Sequence, residues 1–79
     1  FNYSFYPNPT SGKIYLILPS NTNVKINIYD ITGRKVLTKE WNSKYNKGIF
    51  NLSNLHSGVY FMKIDTKNNV ALKKIILLK

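Results

Sequence analysis

Seventy-nine residues leave room for one domain, because a second hydrophobic core would have too little surface to bury. With no cysteine there is neither a disulfide framework nor a thiolate metal site, so the core must come from the apolar residues, 43% of the chain with a 14% aromatic share. Twelve Lys or Arg against three acids give a formal charge of +9, which favours an anionic partner or lysines that keep sheet edges soluble.

The hydrophobic period along the chain is two residues, not the helical period of about 3.6. Residues 2–6 form a first expected strand, followed by the turn Pro7-Asn8-Pro9-Thr10-Ser11-Gly12, whose prolines clamp the chain as it enters the sheet. In 13–18, Ile14, Leu16 and Leu18 alternate with Lys13, Tyr15 and Ile17. After Pro19-Ser20-Asn21-Thr22-Asn23 the pattern repeats over 24–30, with Val24, Ile26 and Ile28 on one face and Lys25, Asn27 and Tyr29 on a wet one. Asp30-Ile31-Thr32-Gly33-Arg34 reads as a tight hairpin corner. Gly33 supplies the positive φ, Asp30 accepts backbone N–H bonds, and Arg34 pairs with Asp30 or a loop carbonyl.

Strands over 34–41 and 48–52 follow, with turn signals at Asn46-Lys47-Gly48 and Ser53-Asn54. The turn Ser57-Gly58 opens a strand over 59–65 in which Tyr60, Met62 and Ile64 share the buried face and Val59, Phe61 and Lys63 the other. Lys67-Asn68-Asn69 leads to the last segment, 70–78. There Lys73-Lys74 interrupts the alternation, and Ile75 to Leu78 is apolar on both sides; such a strand is covered on both faces or is a docking site. No apolar run in the chain approaches the ~20 residues of a membrane-spanning helix. Some seven short strands with turns between them predict an all-β fold, an Ig-like antiparallel β-sandwich occupying 1–79 as a single domain. The chain opens at Phe1 with neither initiator methionine nor signal peptide, which reads as a piece of a longer secreted protein.

No catalytic constellation is visible. The one histidine, His56, sits in Leu55-His56-Ser57-Gly58 and is expected to be an exposed loop residue, while Asp30, Glu40 and Asp65 are far apart in sequence. Ser57 beside His56 is no triad, since a triad is a spatial arrangement with an orienting acid. One histidine without cysteine makes no metal cluster, and four isolated glycines make no phosphate loop. The expectation is a protein that is not an enzyme, with no catalytic, cofactor-binding or metal residue. Tyr3, Phe5, Tyr6, Tyr15, Tyr29, Trp41 and Tyr45 could stack on bases, but the lysines are scattered over every strand and loop and Arg34 is the single arginine. The aromatics fit core and sheet-surface positions better, so no nucleic-acid partner is expected.

The order of the motifs resembles one family, the type IX secretion C-terminal sorting domains of Bacteroidota. Tyr6-Pro7-Asn8-Pro9-Thr10-Ser11-Gly12 is similar to its Tyr-Pro-Asn-Pro opening with a small-residue turn. Tyr29-Asp30-Ile31-Thr32-Gly33-Arg34-Lys35-Val36 resembles its Tyr-Asp-x-x-Gly-Arg-x-Val corner, and Leu55-His56-Ser57-Gly58-Val59-Tyr60-Phe61 its Leu-x-x-Gly-x-Tyr strand. Lys73-Lys74-Ile75-Ile76-Leu77-Leu78-Lys79 resembles its basic and apolar ending. Each is weak alone; in this order, over residues 5–79, they are specific. The final hairpin departs from the pattern, with Lys67-Asn68-Asn69 where a glycine is usual, and Asn tolerates left-handed φ.

The resemblance implies a sorting signal at the end of a secreted protein, carried with an N-terminal cargo domain through the periplasm. It would be recognised by the outer-membrane type IX translocon and its shuttle proteins, then usually removed by a sortase-like peptidase. The cargo would end secreted or on the surface of a Gram-negative cell. Lys73 to Lys79, with the neighbouring strand Val59 to Asp65, are the candidates for translocon recognition, and an edge strand offers a weak homodimer contact. A different reading stays open: an Ig-like accessory module that binds glycan or another cell-surface ligand.

Overall fold

The computed structural model describes residues 4–18, 23–41, 47–67 and 69–79. The expected turns at 19–22 and Asn46, the hairpin tip Asn68, and Asn2, Tyr3 and Tyr45 lie outside these residues, as does the side chain of Trp41. Every expected strand is present: β1 Ser4–Tyr6, β2 Lys13–Ile17, β3 Val24–Tyr29, β4 Lys35–Trp41, β5 Lys47–Asn51, β6 Gly58–Asp65 and β7 Val70–Leu77. They form a three-stranded sheet of order β1-β2-β5 and a four-stranded sheet of order β4-β3-β6-β7, with every ladder antiparallel. Strand 4 joins strand 3 instead of crossing to the smaller sheet, and that order is one of those used by Ig-like sandwiches.

Alternation decides which side chains fill the space between the sheets. Ile14, Leu16 and Phe50 come from the smaller sheet; Val24, Ile26, Ile28, Tyr60, Met62, Ile64, Ile75 and Leu77 come from the larger, and all are buried. Leu18 and Leu52, each just past the end of a strand, close the ends of the same core. The Tyr60 face of β6 is thus the buried one, as its sequence suggests.

Position 27 departs from the simple alternation. Asn27 lies in the outward row with Lys25 and Tyr29, yet it is buried. In register it sits between Thr38 and Lys63, and its Oδ1 accepts a hydrogen bond from the Thr38 hydroxyl at 2.9 Å. A central strand hides a short polar side chain between the strands on either side, and the bond satisfies its carbonyl oxygen.

Candidate functional site

The first motif covers a sheet edge. β7 is an outer strand, and an outer strand carries a row of unpaired N–H and C=O groups. Asn8 Nδ2 donates to the Lys74 carbonyl at 3.0 Å, and the Ile76 N–H donates to Asn8 Oδ1 at 3.0 Å, so one amide side chain pairs with β7 as a strand would. Thr10 continues the pairing: its N–H donates to the Ile76 carbonyl at 2.9 Å, and its carbonyl accepts from the Leu78 N–H at 2.8 Å. Thr10 is itself buried, with its hydroxyl donating to the Lys13 carbonyl and accepting from the Gly12 N–H. The bonds to Pro7 and Pro9 are both cis. At Gly12 the backbone runs so close to the loop after β5 that a Cβ would meet Ser53 Cβ at 3.2 Å and Asn51 Oδ1 at 3.3 Å.

The second motif is a turn held by one carboxylate. Gly33 has φ +88°, a left-handed value that glycine adopts without steric cost, and its N–H donates to the Asp30 carbonyl at 3.0 Å. Asp30 Oδ1 accepts from the Thr32 hydroxyl (2.6 Å), the Thr32 N–H (2.9 Å) and the Arg34 N–H (3.1 Å), while Oδ2 meets Arg34 Nε at 3.3 Å. The Thr32 hydroxyl bond is the largest influence on the Asp30 carboxyl. With the two N–H bonds and the nearby guanidinium it outweighs the desolvation acting the other way, so the carboxyl stays below its ordinary 3.8. Arg34 is spent on this turn.

The third motif anchors β6. Tyr60, buried against the core, donates its hydroxyl to the His56 carbonyl at 2.6 Å, four residues upstream. A tyrosine near the start of this strand, tied back to the preceding corner, is a recurrent lock of Ig-like sandwiches. His56 contributes a backbone carbonyl and leaves its ring exposed. Among the described residues, no group of three His, Cys, Asp or Glu could hold a metal ion.

The fourth motif divides by parity. Ile75 and Leu77 are fully buried in the core. Lys74, Ile76 and Leu78 belong to the outward row, where Lys74 and Leu78 are exposed and Ile76 is half-buried. Lys73 shares the core-side row with Ile75 and Leu77 but is itself exposed. Lys79 folds back over the 53–57 loop: Nζ donates to the Ser53 and Leu55 carbonyls at 2.6 and 3.0 Å, and its N–H donates to Ser57 Oγ at 3.0 Å. Sequence reasoning did not find the bridge from Asn8 and Thr10 to β7, nor the anchor made by Lys79. Both join residues distant in the chain, and neither leaves a periodic trace.

Opposite Lys74 and Ile76 the outward face continues into β6, with Phe61 and Val59 as their register partners. With Val70 and Leu72 these residues make an apolar surface crossed by Lys63 and Lys74. Three of the motifs thus brace the sandwich, while the last hairpin turns apolar and basic groups to solvent. The fold is that of a small all-β sandwich with an exposed apolar and basic hairpin face. A family described as the secretion system C-terminal sorting domain matches residues 4–78, spanning all the motifs but Lys79. An endo-acting ulvan lyase of Formosa agariphila is 32% identical over 78 residues. That alignment takes in 94% of this chain and 14% of the relative, so the chain spans about one seventh of the length of that curated relative. The chain belongs to the type IX secretion C-terminal sorting domains, and its function is that of a sorting signal for export to the cell surface or beyond.

Proposed function

We propose that the secretion machinery recognises this domain as a folded shape, through the outward row of the β6–β7 hairpin. Lys74, Ile76 and Leu78 carry the contact, with Val59 and Phe61 beside them, while Lys73 and Lys79 border it. Ile75 and Leu77 act by completing the core that holds this row in place. The supporting observation is the inverted surface of β7: its outward side chains are largely apolar on what is, among the described residues, an outer strand of its sheet. In this reading the domain lies C-terminal to a cargo domain and folds in the periplasm. Shuttle components of the outer-membrane translocon bind it, and a sortase-like peptidase cuts on its N-terminal side.

The test fuses residues 1–79 to a periplasmic reporter in a host with a type IX system. The parent fusion is expected at the cell surface. Lys74→Glu with Leu78→Ser, which leaves the core intact, is expected to retain its melting transition and lose export. Surface delivery of that double variant at the parental level refutes the assignment. Deleting 75–79 is a poorer probe, because it removes two core side chains along with the surface.

A further inference from the structure

The outer backbone of β7 consists of two unlike halves. Lys74, Ile76 and Leu78 turn their backbone groups away from β6, where Asn8 and Thr10 meet them. Alternation along an antiparallel ladder turns the N–H and C=O of Val70 and Leu72 the same way, together with the Lys74 N–H. Among the described residues nothing pairs with these groups. Their side chains are also open, Val70 being 64% and Leu72 62% exposed, the two most exposed large aliphatic residues on any strand.

Unpaired backbone in a row selects an extended segment, not a helix or a small molecule. Charge selects its flanks. Lys63 is the register partner of Leu72, Lys73 and Lys74 follow along the strand, and Lys67 lies in the preceding turn. Asp65, opposite Val70, is the one carboxylate beside this stretch. A second copy of a chain with formal charge +9 would bring lysines onto lysines.

We infer that the open half of the edge, Val70 to Lys74, is a strand-addition site for an extended segment of a partner protein. Small apolar side chains of that segment lie beside Val70 and Leu72, and acidic ones meet Lys63, Lys73 and Lys74. Asn8 occupies the next pairing position and sets where the added strand stops. The inference rests on the sorting function above for the partner's place in the export machinery; the pairing site is tested separately.

The probe is a synthetic peptide of alternating Val and Thr with Glu at both ends, titrated into the isotope-labelled chain while amide hydrogen exchange is followed. In the free chain the Val70, Leu72 and Lys74 amides are expected to exchange fast and the Ile76 amide slowly. Bound peptide is expected to slow the first three. Leu72→Pro removes an outward N–H and no internal hydrogen bond, and it is expected to weaken binding about ten-fold or more. Leu72→Thr keeps the N–H and is expected to bind, and a peptide with Lys in place of Glu is expected to bind much more weakly. Absence of binding, binding that leaves the three amides unprotected, or equal binding by Leu72→Pro or by the Lys peptide each overturns the inference. Should Leu72→Pro not fold, protection in the parent chain decides. In the export host, a parent fusion that reaches the surface beside a Leu72→Pro fusion that does so equally well sinks the inference and leaves the sorting function standing. A parent fusion that stays inside sinks the proposed function, whatever the peptide does.

Discussion

β4 and β7 are the two outer strands of the same sheet, and they protect their free edges differently. β4 does so with its own residues. Lys35, Lys39 and Glu40 put charge along it, and a register shift opposite Ile28 and Tyr29 breaks the flat ladder. The Lys39 ammonium also reaches across to the Ile49 carbonyl of the other sheet at 3.1 Å. β7 carries Val70, Leu72 and Ile76 outward, with exposed Leu78 just past its end, and borrows its cover from residues more than sixty positions upstream. That cover ends at Lys74. An edge guarded by its own side chains cannot be uncovered by movement elsewhere, whereas one guarded by a distant segment depends on the whole fold being closed.

The largest expected effect sharpens the contrast between the two faces of β7. Leu77 is fully buried, so Leu77→Ala removes core volume at a cost of about 2–5 kcal/mol, a large part of the stability of so small a domain. Leu72→Ala, on the outward face, is expected to change stability by less than ~0.5 kcal/mol. Thermal melts of the two variants check this. Equal losses would mean that the outward face is packed against something.

Next in size is the borrowed cover itself. Asn8→Ala deletes both side-chain bonds to β7 and is expected to cost about 1–2 kcal/mol. Faster exchange of the Ile76 amide and concentration-dependent association in sedimentation should accompany it, because the open edge then runs from Val70 to Ile76. Asn8→Asp keeps an acceptor for the Ile76 N–H and loses the donor to Lys74, and it is expected to fall between. On β4, Lys39→Ala is expected to shift stability by less than ~0.5 kcal/mol. Parental exchange at Ile76 in Asn8→Ala would remove the basis of the comparison.

The same contrast explains what could be read from the sequence. Strict alternation in 13–18, 24–30 and 59–65 located those strands and their buried faces, because a sheet between core and water imposes a period of two. The Asp30 to Arg34 corner was legible because all of its bonds are local. The Lys73-Lys74 interruption concealed that β7 has an ordinary buried row, Ile75 and Leu77, beyond the two lysines. Asn8 was visible as a motif and opaque as to its work, since its partners lie at the far end of the chain and register is a property of the closed sandwich. The burial of Asn27 depends on neighbours from two other strands, which alternation along β3 does not encode.

The corner joining β3 to β4 supplies a pH dependence. Its contacts hold the Asp30 carboxyl below 3.8, so Asp30 contributes stability above that ordinary value and loses it as pH falls through the lower, folded one. Melting temperature is therefore expected to fall more steeply below pH ~4 in the parent than in Asp30→Asn, which is less stable at neutral pH and flatter in acid. Parallel acid profiles would show that the turn holds without its carboxylate.

The smallest expected effect tests what the charges of β4 are for. Glu40 Oε1 lies 3.9 Å from Lys25 Nζ, with the two side chains 67% and 48% exposed. A pair so open to water contributes at most ~0.5 kcal/mol, and salt screens it. Glu40→Gln should thus leave the melt almost unchanged, with the difference vanishing at high ionic strength. Glu40→Val should be equally quiet in the melt yet lower the concentration at which the chain begins to associate, since it places an aliphatic side chain on an edge over which, among the described residues, no distant segment is hydrogen-bonded to the backbone. A stability loss in Glu40→Gln that persists at high salt would make this charge part of the fold, and β4 would then be no different in kind from the strapped half of β7.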